Sequence, residues 1–384
     1  GEYTLVITNV PYLGRGRQDD PLKARLEKQY KEGKADLASA FVMRCLDLCD
    51  SGGTASMVTP QSWLFLTSYK ALRETMLKRQ EWNVVARLGP GAFEGIGGHV
   101  VNVALPLISA KKPRDTHIMA GIDVSFAKEP AEKANLLRGD SSSLINLIPQ
   151  AEQLKNPDAT ITFTVSTIRS YLYEYAGCYQ GLTTADDGKW RRQFWEVPSL
   201  GGSWLPLQTP SQDRGLFAGR EDVVARALVE TDDHTGVIRG REAWGKLGVA
   251  IDRVGSLART MYEGDLFHSL VPVVVAHKKE NHRAVAAFCL SGDFISTARE
   301  SNQSLSIDNG YLSKIPFDLA HWQKIAAEKY PDGLPEPESD DPTQWLFHGW
   351  PVVNLPAAGK EALQPLAERE AAIATLQVAV VRLL

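Results

Sequence analysis

The sequence has few cysteines, no long apolar run and no excess of basic residues. Its 384 residues include four cysteines and no Cys-x-x-Cys pair, so we expect neither a disulfide framework nor structural zinc, and a reducing cytoplasm fits best. No apolar run reaches the roughly 18 residues of a membrane span, and the N-terminus does not resemble a signal peptide. The net charge of −4 argues against a polycation that coats nucleic acid, but it allows a local basic cleft.

The remaining composition is that of a globular protein. Hydrophobic residues make up 43% of the chain and charged residues 23%, which is enough apolar material for a core. At about 150 residues per domain, the length predicts two or three domains.

The N-terminal part alternates between strand and helix patterns. Residues 5–8 form a β-rich run that ends in the turn-forming residues 9–12. Residues 36–49 are predicted to be a helix capped by Asp36, with Cys45 and Cys49 as core residues on its apolar face. A strand over 54–59 and a second helix follow, and two successive strand–helix units predict a parallel sheet.

A glycine-rich loop separates the next two strands. Residues 82–88 and 100–107 are both β-rich, and no helical pattern lies between them, so they are expected to pair as a hairpin and give the sheet an antiparallel edge. The loop 89–98 opens a strand rather than a helix, which favours a turn over a phosphate cradle.

The pattern changes after the first hundred residues. We predict a first domain over residues 1–115, a linker region over 116–158 and a mixed α+β domain over 159–384, in which strands are short and glycines frequent. The fold class is therefore α/β, followed by α+β.

The turn after the first strand carries the most chemical information. Asn9-Val10-Pro11-Tyr12, here called the NVPY turn, resembles the Asn-Pro-Pro-Tyr catalytic motif of amino-group DNA methyltransferases. An adenine amine is a poor nucleophile, and two hydrogen-bond acceptors aimed at its hydrogens favour a tetrahedral nitrogen that can attack a methyl group. Asn9 would supply its side-chain oxygen and Val10 its backbone carbonyl. Pro11 would stiffen the turn, and Tyr12 would stack on a flipped base.

Seven further segments extend this resemblance over nearly the whole chain. They resemble the later half of N6-adenine methyltransferases of the phage-defence BREX (PglX) and type IIG restriction-modification group, including its target-recognition region. The segments are residues 34–38 (KADLA), 52–54 (GGT), 58–64 (VTPQSWL), 93–98 (FEGIGG), 180–187 (QGLTTADD), 194–197 (FWEV) and 314–319 (KIPFDL).

The resemblance implies an incomplete Rossmann-like methyltransferase sheet followed by a DNA target-recognition domain. It implies transfer of a methyl group from S-adenosylmethionine to adenine N6 in a specific site of double-stranded DNA, with other phage-defence proteins as further partners and no membrane. Phe93 would cover the second face of the target base.

Two departures from the family pattern leave an alternative open. Val10 stands where the family has proline, and no glycine-containing loop for the methyl donor was found, so the cofactor-binding residues are unknown. We therefore expect a fragment that is inactive alone. The alternative is a non-catalytic DNA-binding specificity or interaction module that keeps the methyltransferase scaffold.

Two groups of basic residues are candidates for contact with DNA. These residues are Lys189, Arg191, Arg192, Arg239 and Arg241. The first three interleave with Trp190, Phe194 and Trp195, which suits phosphate contact with base stacking, although a solvated basic edge over a core aromatic fits equally well. No metal site, serine-hydrolase elbow or nuclease triad is expected.

Overall fold

The computed structural model describes residues 1–93, 102–138, 144–164, 168, 170–197, 200, 202–212, 215–231 and 235–337, apart from the side chain of Trp195. Residues 94–98 of the glycine-rich loop and residue 100, where its second strand is predicted to begin, lie outside the described residues. The chain divides into two compact units. The first comprises Gly1–Thr167 and Arg299–Ser304, and the second comprises Ile168–Ala298 and the chain from Leu305 onward.

The first unit is built on one mixed sheet. Its elements are β1 (Tyr3–Asn9), α1 (Asp20–Gln29), α2 (Leu37–Leu48), β2 (Cys49–Pro60), α3 (Lys70–Arg79), β3 (Glu81–Gly89), β4 (Val103–Ser109), β5 (Ile118–Asp123), α4 (Pro130–Arg138), β6 (Ile145–Pro149) and α5 (Gln150–Gln153). The strand order is β1-β2-β4-β3-β5-β6. Strand β1 is parallel to β2, and β3 is parallel to β5, while β4 and β6 run antiparallel to their neighbours.

This sheet confirms the α/β fold class and differs from expectation in one respect. The predicted hairpin is present, since β3 and β4 pair antiparallel, but β4 lies inside the sheet, between β2 and β3. The reason is that residues 116–158, predicted as a linker, contribute β5 and β6, which extend the sheet beyond β3. The antiparallel edge strand is therefore β6.

The core of the first unit forms where α2 and α3 cover one sheet face. Helix α2 begins where predicted, because the carboxylate of Asp36 accepts a hydrogen bond from the amide of Ala38 at 2.8 Å. Both early cysteines are buried and free, as predicted. Trp63 and Trp82 are buried with ring centroids 5.4 Å apart, and truncating either one to alanine is expected to cost about 3–5 kcal/mol.

The second unit has the predicted mixed α+β character. Its elements are β7 (Ala176–Tyr179), α6 (Asp187–Trp190), β8 (Arg191–Gln193), β9 (Trp204–Gln208), β10 (Asp222–Ala225), α7 (Arg226–Glu230), β11 (Gly248–Ile251), β12 (Arg259–Tyr262), β13 (Leu266–Phe267), β14 (Val273–Ala276), α8 (His282–Cys289), α9 (Gly292–Ser301), α10 (Asn309–Leu312) and α11 (Leu319–Lys329). The strands form two four-stranded sheets, in the orders β13-β9-β10-β8 and β12-β11-β14-β7. Across the described ranges, no helix has the length and apolarity that crossing a bilayer requires.

Candidate functional site

Strand register brings the NVPY turn and the glycine-rich loop to the same edge of the first sheet. Asn9 at the end of β1 pairs with Val58 near the end of β2. Two strands beyond β2 in the sheet, Gly89 at the end of β3 pairs with Val103 at the start of β4. We call this edge, from Asn9 to Gly89, the carboxyl rim.

The two proposed acceptors of the NVPY turn have no hydrogen-bond donor among the described residues. Asn9 is exposed, whereas Val10 is buried at 3% exposure and donates its amide to the carbonyl of Val58 at 3.3 Å. Proline at position 10 would lack this donor, so valine gives the turn a different anchor. Within the part of the chain that the structure describes, no donor reaches the Asn9 side chain or the carbonyl oxygen of Val10.

Tyr12 offers its ring rather than its hydroxyl. The residue is half-buried, and its hydroxyl oxygen is buried without a hydrogen-bond partner among the described residues. Burial, with a smaller contribution from the negative charge of Asp36, raises the pKa of Tyr12 to about 12. The phenol is therefore neutral at physiological pH and suited to stacking.

Asp36 fixes the chain that follows the turn, a role that sequence analysis missed. One oxygen of its carboxylate accepts the amides of Leu13 at 3.3 Å and Ala38 at 2.8 Å. The amide of Leu37 in turn donates to the carbonyl of Leu13 at 3.0 Å. The available signal was the position of Asp36 inside segment 34–38, where only its cap role was inferred.

Phe93 lies at the carboxyl rim but is partly covered. It is half-buried against an apolar cluster formed by Leu88, Val103 and Val124, which Val58 also contacts. The structure thus brings Phe93 to the same end of the sheet as the NVPY turn, with part of its side chain already packed.

Lys133 supports the same region and was also missed. Its buried ammonium group donates to the carbonyl of Leu88 at 2.7 Å and to that of Ala127. These bonds fix the residue before the glycine-rich loop to the turn after β5. Nothing in the sequence around Lys133 marks it for this role.

Segment 180–187 links the two basic groups of the second unit. Arg239 donates to the side-chain oxygen of Gln180 at 2.7 Å, and Thr183 exchanges backbone hydrogen bonds of 2.9 Å with Val237. At the other end of the segment, the carboxylate of Asp186 caps α6 by accepting the amide of Lys189 at 3.1 Å. The segment therefore places Arg239 and α6 within one local structure.

Arg191 is held by carboxylates. Its Nε and one terminal nitrogen donate to both oxygens of Asp222 at 3.1 and 2.9 Å, and the other terminal nitrogen donates to Asp187 at 3.1 Å. Asp222 is 6% exposed and also accepts the hydroxyl of Thr209 at 2.9 Å. This geometry fixes β8 and leaves Arg191 few donors for a phosphate.

The other four basic candidates differ from Arg191. None of them forms an ion pair with a carboxylate among the residues that the structure describes; they are Lys189, Arg192, Arg239 and Arg241. Lys189 lies 4.3 Å from the ring centroid of Trp190, and Arg241 lies 4.9 Å from that of Trp244.

The aromatic residues next to β8 differ from those beside Lys189 and Arg241. Phe194 is buried at 1% exposure, which makes it a core residue, and the side chain of Trp195 lies outside the described part of the chain.

No metal site is apparent over the described ranges, where no three His, Cys, Asp or Glu side chains are grouped closely enough to hold an ion. The methyl donor likewise has no residue assigned to it.

Comparisons with known proteins support the resemblance drawn from the sequence. The Eco57I restriction-modification methylase family model matches residues 1–92, which include the NVPY turn. The adenine-specific methyltransferase PglX of Lacticaseibacillus casei (strain Zhang) is 29% identical over 217 residues, covering 53% of this chain and 18% of PglX. The adenine-specific methyltransferase BrxX of Escherichia coli O9:H4 (strain HS) is 37% identical over 99 residues, covering 26% of this chain and 8% of BrxX.

A solved structure extends the likeness of fold to both units. The Type IIL restriction-modification enzyme MmeI, solved in complex with DNA, matches 98% of this chain and 53% of its own, with a TM-score of 0.51 at 10% identity. At that identity the match concerns the fold alone. The predicted similarity to BREX and restriction-modification adenine methylases is confirmed, and the matched stretches span less than a fifth of either curated relative.

Proposed function

We propose that this chain belongs to a site-specific DNA adenine-N6 methyltransferase of a phage-defence or restriction-modification system. The observation that carries the proposal is a pair of acceptors at the carboxyl rim that no donor among the described residues reaches, the Asn9 side-chain oxygen and the Val10 carbonyl, followed by the half-buried Tyr12. The similarity to PglX and BrxX agrees with it. The protein would act in the cytoplasm, where its four free cysteines remain reduced, with other defence proteins as further partners.

The residues of the rim would act by orienting the adenine amine. Asn9 and the carbonyl of Val10 each accept one amine hydrogen, which directs the nitrogen lone pair out of the ring plane. Both acceptors are neutral, so they orient the amine without removing its proton. Tyr12 stacks on one face of the flipped base and Phe93 on the other. S-adenosylmethionine, which the methyltransferase similarity implies, would supply an electrophilic methyl group.

In the second unit, we propose two roles for the basic residues. Four basic residues would contact DNA phosphates, because no carboxylate among the described residues neutralises them. They are Lys189, Arg192, Arg239 and Arg241. Arg191, predicted to bind DNA directly, would support that surface by fixing β8 through Asp187 and Asp222.

Methylation by the full-length protein tests the proposal. The Asn9→Ala variant should lose about 100- to 1000-fold in methylation rate, as expected when one preorganised hydrogen-bonding group is removed, while its affinity for DNA stays unchanged. Asn146→Ala is the matched control, since Asn146 is an exposed asparagine on β6 of the same sheet. Unchanged activity of Asn9→Ala would refute the role of the rim.

The alternative is a non-catalytic DNA-binding module, favoured by the replacement of the family's proline with Val10. DNA binding by the full-length protein without adenine methylation of any tested duplex would support this alternative.

A further inference from the structure

A polar pocket opens in the second unit beside β8. It is a cavity of about 300 Å³. Its polar lining consists of Arg191, Gln193, Thr209, Gln212, Glu221 and Asp222. The pocket therefore lies between β8, the start of β10 and the loop that follows β9.

The charge of this lining disfavours a phosphate. Glu221 and Asp222 contribute two carboxylates against the single guanidinium of Arg191, whose donors already contact Asp187 and Asp222. A phosphate would meet a net negative wall, whereas a ligand that presents amino groups would be attracted. The exposed edge of a nucleobase is such a ligand.

Gln212 has the most unusual backbone in the pocket. Its φ of +52° lies in the left-handed region, which costs free energy in any residue other than glycine. The carboxylate of Asp252 holds this conformation by accepting the amides of Ser211 and Gln212, both at 2.8 Å. Asp252 itself is 5% exposed, so a buried charge stabilises the loop.

The side chain of Gln212 is available for a ligand. It is exposed, and over the described residues its amide group has no hydrogen-bond partner. Glycine would take the same backbone conformation without strain, so neither the backbone nor a contact among the described residues accounts for glutamine here.

We infer that Gln212 reads a base of the target sequence, an adenine in preference to the other bases, with the polar pocket receiving the base edge. A glutamine amide accepts from adenine N6 and donates to N7, which no other base satisfies in the same way. Asp252 is then a positioning residue. This inference rests on the proposed function, because it requires that the second unit faces DNA.

The test measures discrimination rather than activity alone. Full-length wild type, Gln212→Ala and Gln212→Gly are assayed for methylation rate and for binding by fluorescence anisotropy, on duplexes in which each position of the methylated motif is varied in turn. We expect both variants to lose about 10- to 100-fold discrimination at one adenine position and to keep it elsewhere. Gln212→Gly should melt no lower than wild type, because it relieves the strain at φ +52°.

Gln323→Ala is the matched control, since Gln323 is an exposed glutamine on α11 of the same unit. Unchanged discrimination in both Gln212 variants would overturn the inference and leave the proposed function intact. A wild type that binds but does not methylate would refute the proposed function, while the binding measurements would still decide the role of Gln212. A wild type that binds all duplexes equally would overturn the inference.

Discussion

The carboxyl rim of the first unit and strand β8 of the second both present polar side chains, but in opposite states of pairing. At the rim, the Asn9 side chain and the carbonyl of Val10 have no partner among the described residues, while the amide of Val10 donates to the carbonyl of Val58. On β8, Arg191 directs its donors at two carboxylates. The rim therefore offers acceptors to a ligand under the proposed function, whereas the donors of Arg191 already contact carboxylates.

This difference separates two uses of a polar residue. An exposed acceptor without a protein partner is hydrogen-bonded to water until a ligand replaces that water, so its deletion affects function more than stability. A half-buried guanidinium between carboxylates stabilises the fold, and its deletion leaves a buried charge uncompensated. The predictions below test this contrast.

Among the polar residues of these two regions, Arg191→Ala is expected to have the largest effect on stability. Removing the guanidinium leaves the buried carboxylate of Asp222 with two side-chain donors among the described residues, Thr209 and, at a long distance, Gln193, so the free energy of unfolding should fall by about 2–3 kcal/mol. Chemical denaturation of the purified chain measures this. Arg239→Ala is the control and should change stability by less than about 0.5 kcal/mol. Equal effects of the two substitutions would remove the distinction between an arginine held by carboxylates and one that is not.

A smaller loss is expected for Asp36→Ala at the rim. The substitution removes the cap of α2 and the acceptor of the Leu13 amide, which should cost about 1–2 kcal/mol. It should also slow methylation by the full-length protein, because the chain after Tyr12 loses its anchor. Asp36→Asn keeps one acceptor oxygen and should restore most of both losses. If Asp36→Ala melts lower but methylates at the wild-type rate, Asp36 contributes to stability alone.

Local signals in the sequence were sufficient for much of the first unit. The cap at Asp36, the apolar spacing of α2 and the antiparallel pairing of β3 with β4 all concern residues close in sequence, and each prediction is confirmed. The position of β4 inside the sheet could not be predicted in this way, because it depends on pairing between β3 and β5. The turn residues around 156–158 favoured a linker instead.

The candidate sites show the same limit. The NVPY turn was identifiable because four consecutive residues after a predicted strand resemble the Asn-Pro-Pro-Tyr motif, so no distant contact had to be known. Arg191 and Arg192 are neighbours with the same charge, and no local pattern shows that Asp222, thirty-one residues later, contacts the first and not the second. Gln212 was missed for a similar reason, since its conformation depends on Asp252, forty residues away.

Arg192 provides the opposite test to Arg191. It lies 5.7 Å from the ring centroid of Trp204 and, within the described ranges, has no acidic partner. Arg192→Ala should leave stability nearly unchanged and reduce the slope of log affinity for DNA against log salt concentration by about 1. Lys329→Ala is the control, because Lys329 also lies over an aromatic ring, that of Tyr330. An unchanged slope for Arg192→Ala would exclude Arg192 from phosphate contact.

The smallest effect concerns His268, which lies near the charges that hold β8. Burial lowers the pKa of His268, and Arg191 lowers it further, whereas Asp187 and Asp222 oppose the shift. Protonation then favours the unfolded state, so stability is lost as the pH falls below the unfolded histidine pKa of about 6.5. His268→Asn should weaken this loss of stability between pH 7.5 and 5, because it removes the titrating imidazole. Asparagine can still accept the hydrogen bond from the amide of Leu270, which Nδ1 now accepts at 3.2 Å. Denaturant unfolding at the two pH values measures the change. His321→Asn is the control, because His321 is exposed. An equal loss of stability in wild type and His268→Asn would show that protonation of His268 is not coupled to folding.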